Sequence, residues 1–326
     1  MRREIITWSV IAAIIVGAFG GTVLILNASL YSASGFVRSY LDALARQDAD
    51  GALELAGSLN SGDTAAGGAS DALLTGSAMG ELSDIRAISD EEGPDGVHHV
   101  VYSYSADGVT GRSTFAVKRL GTLLAFFPTW AFESSPLAVI QLSVQNGSQF
   151  TANGVDLTSP EPAAPAPLNV FAPGTYKISH ESTYLSADPI TVTTTEPGGV
   201  VPAELVVGPN AAFAEQVATE LKGHLDECAT QEVLQPTGCP FGEIIGNRVV
   251  SAPAWSISTY PRVTLAPGPE PGSWLMPPTQ AAAHLVVDVR SLFDGSITTF
   301  NEDVPFTASY LVTFLPGDEL LITAQY

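Results

Sequence analysis

The residues best placed to do chemistry in this sequence are His98, Tyr102 and Tyr104, two cysteines, and an apolar triplet in a proline-rich segment. His98, Tyr102 and Tyr104 stand at even spacing within Val97–Ser105, a run rich in β-branched and aromatic residues. A strand there puts a titratable ring and two hydroxyl donors on one face, the ingredients of a proton-transfer or ligand pocket. The same alternation also describes ordinary core or solvent-face packing. His99 points the other way, so the adjacent histidines do not form a metal clamp. Cys228 and Cys239 are the only cysteines, 11 positions apart, and Pro236-Thr237-Gly238 supplies a reversal between them. The spacing predicts a structural disulfide that clamps a helix end to the loop leaving it. His224 alone does not complete a zinc site with the pair. In Ala266–Pro278, prolines pre-order the chain around Trp274, Leu275 and Met276. This is a candidate binding loop for a peptide or envelope polymer, or a segment whose tryptophan tucks back onto its own sheet. Asp288 and Arg290 share a strand face, which suits a solvated ion pair.

Other catalytic and metal signatures fail on residue identity. There is no Cys-x-x-Cys, and Tyr184 stands where His180-Glu181 needs a second histidine for zinc. No serine precedes Lys118, Lys177 or Lys222 by three residues, which removes the Ser-x-x-Lys nucleophile. Gly68-Ala69-Ser70-Asp71-Ala72 ends in alanine and follows no strand, so it is no nucleophile elbow. No Gly-Lys pair exists for a phosphate loop. Asp48-x-Asp50-Gly51 opens like a calcium loop but lacks the later carboxylates, and an interhelical turn explains it better. No catalytic residue, cofactor or metal is therefore expected.

The 34 acidic against 13 basic residues give a formal net charge of -21, spread without a basic patch. Phosphate neutralisation needs clustered Lys and Arg, so nucleic acid is excluded as a partner. A hydrophobic fraction of 45% with 14% charged residues describes a folded chain. At 326 residues it is long enough for two or three domains. Scarce lysine with abundant Ala and Gly resembles the usage of high-GC actinobacteria.

Between Glu4 and Arg38 there is no charged residue, and Ile5–Leu26 is long enough to cross the ~30 Å hydrocarbon core as one helix. Arg2 and Arg3 precede it and no base follows before Arg38, so the positive-inside rule predicts a cytoplasmic amino terminus and an extracytoplasmic bulk. The apolar run exceeds that of a cleaved signal peptide, and only Ala33-Ser34-Gly35 approaches a cleavage site. An uncleaved plasma-membrane anchor is the expectation.

Along the chain, the expected segments are a cytoplasmic stub and anchor over 1–30, an α+β domain over 31–135, an all-β spacer over 136–205 and a second α+β domain over 206–326. Phe36, Val37, Tyr40, Leu41 and Leu44 have helical spacing, a second short helix restarts at Ala52, and a helical stretch toward Met79 follows the Gly57–Gly68 loop. Strands are expected at Leu82–Ile88, Val97–Ser105, Thr110–Val117 and Leu123–Phe127. The run from Phe36 to Ala56 resembles the opening of extracytoplasmic nuclear-transport-factor-2-like (cystatin-like) domains, in which a curved sheet wraps a helix into a cone. Phe171-Ala172-Pro173-Gly174-Thr175-Tyr176-Lys177-Ile178 resembles the turn and strand of PEGA-type β-sandwiches. Beyond Pro209 a helix over Ala211–Ala229 and five strands repeat the first plan. The resulting α+β architecture, an N-terminal transmembrane helix followed by two cone-like helix-plus-curved-antiparallel-sheet domains flanking a small β-sandwich, is similar to the teicoplanin-resistance-associated membrane proteins. The cytoplasmic zinc ribbon of that family has no counterpart in this chain.

That resemblance implies a non-enzymatic, membrane-tethered binding or scaffold protein of the bacterial cell envelope, with another envelope protein or a cell-wall polymer as partner. The alternative is an enzyme or small-molecule carrier using a cone pocket. Cone folds such as the ketosteroid isomerases place a carboxylate and a hydroxyl donor in the concavity, the role His98, Tyr102 and Tyr104 would share.

Overall fold

The computed structural model describes residues 2–57, 68–124, 126–161, 163–317 and 319–325. In chain order the elements are α1 (Arg2–Ala28), α2 (Ala33–Ala45), α3 (Ala49–Ala56), a 3₁₀ turn (Gly76–Ala78), β1 (Leu82–Glu92), β2 (Val97–Ala106), β3 (Val109–Leu123) and β4 (Phe127–Phe132). Then follow β5 (Leu137–Gln145), β6 (Gln149–Ala152), β7 (Val155–Thr158), β8 (Ala166–Phe171), β9 (Gly174–Glu181), β10 (Leu185–Thr194), β11 (Val200–Val206) and β12 (Gly208–Pro209). The last stretch holds α4 (Ala211–Ala229), β13 (Arg248–Val249), β14 (Ala254–Thr259), β15 (Ala266–Pro267), β16 (Ser273–Arg290), β17 (Ile297–Leu315) and β18 (Glu319–Ala324). The chain is thus mixed α+β and mostly strand, with one sheet curled into a half-barrel. Its contacts divide it into two compact units, one of Met1–Val144, Ser148–Ser179 and Pro189–Leu205, the other of Gln145–Gly147, His180–Asp188 and Val206–Tyr326. Most of the 136–205 segment therefore belongs with the first unit, and among its described residues the regular elements are all strands.

In the first unit, α2 begins where the Ser32 hydroxyl accepts the Gly35 amide at 2.9 Å. Its buried stripe of Val37, Tyr40, Leu41 and Leu44 has the 3.6-residue period and packs on β1 to β3. Asp48 is indeed an interhelical turn, since its side chain caps α3 through the Gly51 amide at 3.0 Å. That helix stops at Gly57, whose φ of 71° closes the C-terminus. The helical stretch expected toward Met79 shrinks to the 3₁₀ turn, while residues 58–67 of the preceding loop lie outside the described residues. Strands β1-β2-β3-β4 form an antiparallel meander whose Val100, Tyr102, Tyr104, Phe115 and Val117 meet α2 in a single core. Tyr40 sits at its centre, fully buried, and donates to the Ala172 carbonyl at 3.1 Å. The later residues add a sheet of order β11-β5-β8, while β9 pairs with β6, which pairs with β7. Asn153 turns the β6–β7 hairpin with φ 45°, and its amide reaches the Ala78 and Thr175 carbonyls at 2.8 and 2.9 Å.

The second unit is organised by one long hairpin, β16 with β17, in register from Ser273↔Thr313 to Arg290↔Ile297. One edge of β16 is covered successively by β15, β14 and β13, and β18 extends β17 on the other side. Asn210 caps α4 by accepting the Phe213 amide at 3.0 Å. Phe213, Val217, Leu221, Leu225 and Cys228 form the buried stripe of α4. The first pair packs with Trp274 and Val312, the last three with Met276, Leu285 and Phe306.

Helix α1 leaves Ile14, Ile15, Val16, Phe19, Leu24 and Ile25 exposed. Among the described residues no single helix is long and apolar enough to cross a membrane, although Ala13–Ala28 and Ala33–Ala45 meet the criterion together, bent by 60° at their junction.

Candidate functional site

Strand β2 does bring His98, Tyr102 and Tyr104 to one face, but each side chain is engaged separately. Tyr102 donates to the Ser34 carbonyl at 2.9 Å and lies 3.0 Å from the Ser34 hydroxyl. The Tyr104 hydroxyl pairs with Ser113 at 2.8 Å. Both rings belong to the core around α2, and burial, only partly offset by these bonds, pushes both hydroxyls above the usual tyrosine range. They are protonated hydrogen-bonding struts at physiological pH. His98 is nearer the surface, where Nδ1 meets Asp90 at 2.7 Å and the ring stands edge-on to Trp130 at 4.8 Å. A shallow apolar cleft in the same unit is bordered by Leu44, Leu82, Phe171, Thr175 and Tyr176, and none of the three reaches it. Tyr176 there exchanges two hydrogen bonds with the Phe171 backbone, and full burial holds its hydroxyl well above the usual range. Among the described residues the buried Thr175 hydroxyl has no hydrogen-bond partner.

The residues of the candidate binding loop are strand residues. Trp274 is only 1% exposed, Met276 is buried and Leu275 is half-buried, all within β16. Trp274 packs edge-on to Phe213 at 6.1 Å, so the tucked-back alternative is the one realised. Cys228 and Cys239 form the expected disulfide, with Cα atoms 5.8 Å apart. It ties the last turn of α4 to the loop carrying Phe241, which packs on Trp255 and Phe306. The Trp255 indole N–H in turn donates at 2.7 Å to the carbonyl of Val233, a residue within the bridged segment.

The chemically distinctive surface of the second unit is instead the tip of the β16–β17 hairpin. Ser291 and Asp294 lock its backbone. The Ser291 hydroxyl accepts the Phe293 and Asp294 amides at 3.2 and 3.3 Å, and Asp294 accepts the amide and hydroxyl of Ser296 at 3.1 and 2.8 Å. Gly295, with φ 73°, completes the reversal that a side chain would strain. The Ser296 hydroxyl first, and the Ser291 hydroxyl after it, hold the Asp294 carboxyl below its usual range. On this rigid frame Phe293 is 100% exposed and Leu292 is 73% exposed. Ile244, Val250 and Ile297 are exposed as well. Beside the tip, Arg248 of β13 stands directly opposite Arg290 of β16. Like charges opposite one another on a sheet repel, yet neither guanidinium makes an ion pair among the described residues. Among the described residues the Asp288–Arg290 pair expected from sequence does not form, and Asp288 accepts the Thr299 hydroxyl at 2.6 Å.

This surface was legible in one detail. Leu292-Phe293 runs straight into Asp294-Gly295, a turn signal that fixes a hairpin tip with two large apolar residues on it. Among the described residues no group of three or more His, Cys, Asp or Glu side chains could hold a metal ion. No protein-family model, curated protein or solved structure matches the chain significantly.

Proposed function

We propose that this chain is a non-enzymatic, membrane-tethered binding or scaffold protein of the bacterial cell envelope, with α1 as a single-pass anchor, the amino terminus cytoplasmic and the bulk extracytoplasmic. In this reading the two units are built on cone-like helix-and-sheet plans of the nuclear-transport-factor-2-like kind with the β-rich middle segment as spacer, an arrangement similar to the teicoplanin-resistance-associated proteins. The observation that carries it is the locked hairpin tip presenting a wholly exposed Phe293 beside Leu292 and an unpaired arginine pair. A protein gains nothing in solution by fixing a large ring in water. A rigid aromatic anchor with cations near it is what an interface hot spot requires. The partner is a protein of the envelope, because a phenyl ring needs an apolar pocket and the arginines need carboxylates around it. The alternative, an enzyme or carrier in a cone pocket, would draw on tyrosines whose hydroxyls are all committed internally.

The test places a photoreactive phenylalanine analogue at position 293 of the full-length chain in cells, with Glu220 on α4 as the control position. A discrete polypeptide adduct from 293, absent from 220 and lost with Arg248→Glu and Arg290→Glu, supports the proposal. Adducts to polymer alone, or the same adducts from both positions, sink it.

A further inference from the structure

The β3–β4 hairpin is a second apolar tip, and it lies against α1. Its exposed side chains are Leu120, Leu123, Leu124 and Phe126, with Leu124 74% exposed. The Phe126 ring meets Phe19 of α1 edge-on at 5.9 Å, and the Asn27 amide donates to the Phe126 carbonyl at 2.8 Å. Below the tip, Phe127 packs on Tyr31 at 4.4 Å and the Trp130 indole donates to the Tyr31 carbonyl at 2.9 Å. The hairpin is therefore fastened to α1 at Phe19 and Asn27 and to the segment just after it at Tyr31. From Phe19 to Asn27 the helix rises about 12 Å, which is the stretch the tip runs beside.

The hairpin carries no acidic residue of its own. From Gly108 to Phe132 there is no Asp or Glu, while Arg112, Lys118 and Arg119 are present, in a protein of net charge -21. Lys118 pairs with Glu133 at 2.8 Å. Among the described residues Arg119 makes only a 3.4 Å bond, from Nε to the Gly121 carbonyl, so its guanidinium is available beside the exposed leucines. Arg112 sits at the other end of β3, so an acid-free apolar tip with Arg119 beside it and a half-buried Trp130 behind it is what has the composition of an interfacial membrane anchor.

We infer that the β3–β4 hairpin inserts into the outer face of the same bilayer that α1 spans, with Leu120, Leu123, Leu124 and Phe126 among the acyl chains and Arg119 on lipid phosphates. This rests on the reading of α1 as a membrane anchor. Insertion gives the first unit two attachment points, so that it is held against the bilayer instead of swinging from the helix end. The bilayer is the occupant favoured over a protein because the tip is fastened along the apolar flank of α1 itself. A surface that shares the helix's depth shares its solvent.

The experiment reconstitutes the full chain in phosphatidylcholine and phosphatidylglycerol vesicles containing acyl-brominated lipid, which quenches tryptophan at bilayer depth. Leu124→Trp reads the hairpin, Val16→Trp reads α1 and Phe293→Trp reads a tip outside the membrane, each as a difference from the unsubstituted chain. All three positions are exposed, so the substitutions leave the cores intact. The emission added by Leu124→Trp and by Val16→Trp is expected to be mostly lost, and that added by Phe293→Trp retained. Quenching at position 16 without quenching at position 124 overturns the insertion while the anchor stands, leaving the tip to a neighbouring membrane protein. No quenching at position 16 overturns the anchor itself, and quenching at position 124 then marks surface binding by the hairpin alone. A further Arg119→Glu substitution on Leu124→Trp is expected to reduce quenching in phosphatidylglycerol-rich vesicles, and unchanged quenching would remove the phosphate contact.

Discussion

Removing the Cys228–Cys239 bridge should destabilise the second unit by an amount that its loop length sets. With the two cysteines 11 positions apart, the chain-entropy relation gives about 2.8 kcal/mol at 25 °C. The unit has ~130 residues, so its unfolding entropy near 60 °C is roughly 0.27 kcal/mol/K and the shift in Tm is roughly 10 °C. Reduction with a phosphine is the cleaner perturbation. Cys228 is buried in the core with Leu225 and Trp255, and substituting it would add a packing loss. In a chain carrying Trp8→Phe and Trp130→Phe, fluorescence reports only Trp255 and Trp274, both in the second unit. The melt of the detergent-solubilised chain is recorded with and without reductant. A shift below about 2 °C would refute the reasoning, because it would mean that Phe241 and Trp255 hold the loop as tightly in its absence.

Other perturbations separate core from surface. Trp274→Ala is expected to cost about 3–5 kcal/mol in urea unfolding of the second unit, whereas an unchanged midpoint would return Trp274 to a binding role. Phe293→Ala should leave that midpoint unchanged and abolish the adducts captured from neighbouring tip positions. Tyr40→Phe strips the Ala172 carbonyl of its donor and should cost about 1–3 kcal/mol in the first unit, read by the Trp130 signal. His284 faces Asp303 at 2.8 Å and Asn301 at 2.7 Å, and these bonds, Asp303 first, raise it above its ordinary 6.5. Both ring nitrogens thus meet acceptors, which only the imidazolium satisfies. With the folded value raised, this stability is fully present below the unfolded pKa and is lost as pH rises through the folded one. His284→Ala should lower the urea midpoint at about pH 5.5 and change it less at about pH 8.5. An equal effect at both would show that the charge does not matter.

How much of this was legible in the sequence depends on whether the signal was local. The Asp48 cap, the stripe from Val37 to Leu44 and the cysteine spacing are set within a few residues, and the structure follows them. The tuck of Trp274 onto its own sheet was one of the two readings, but its strand was missed because Pro277 and Pro278 read as loop, whereas β16 continues through them by a register shift between Met276 and Thr279. Likewise β3 continues past Val117 to Leu123 across an irregularity between Arg119 and Gly121, so that Leu123 and Leu124 fall at a hairpin turn and not within a strand of their own. The face shared by His98, Tyr102 and Tyr104 was read correctly from alternation. Its commitment to Ser34, Ser113 and Asp90 was not, because those partners come from elements up to 68 positions away. The division into two units also eluded sequence, since strands after Pro136 are shared out by pairing partners and proline-rich joints do not record pairing.

The claim on which the account rests is that α1 holds the chain in a membrane with both units outside. The direct measurement fuses, after the last residue, one reporter active only in the cytoplasm or one active only outside it, in cells producing the full-length chain. The account expects the external reporter to be active, the cytoplasmic one silent, and the protein to sediment with membranes after an alkaline wash. Cytoplasmic activity, or release of the protein by that wash, would contradict it.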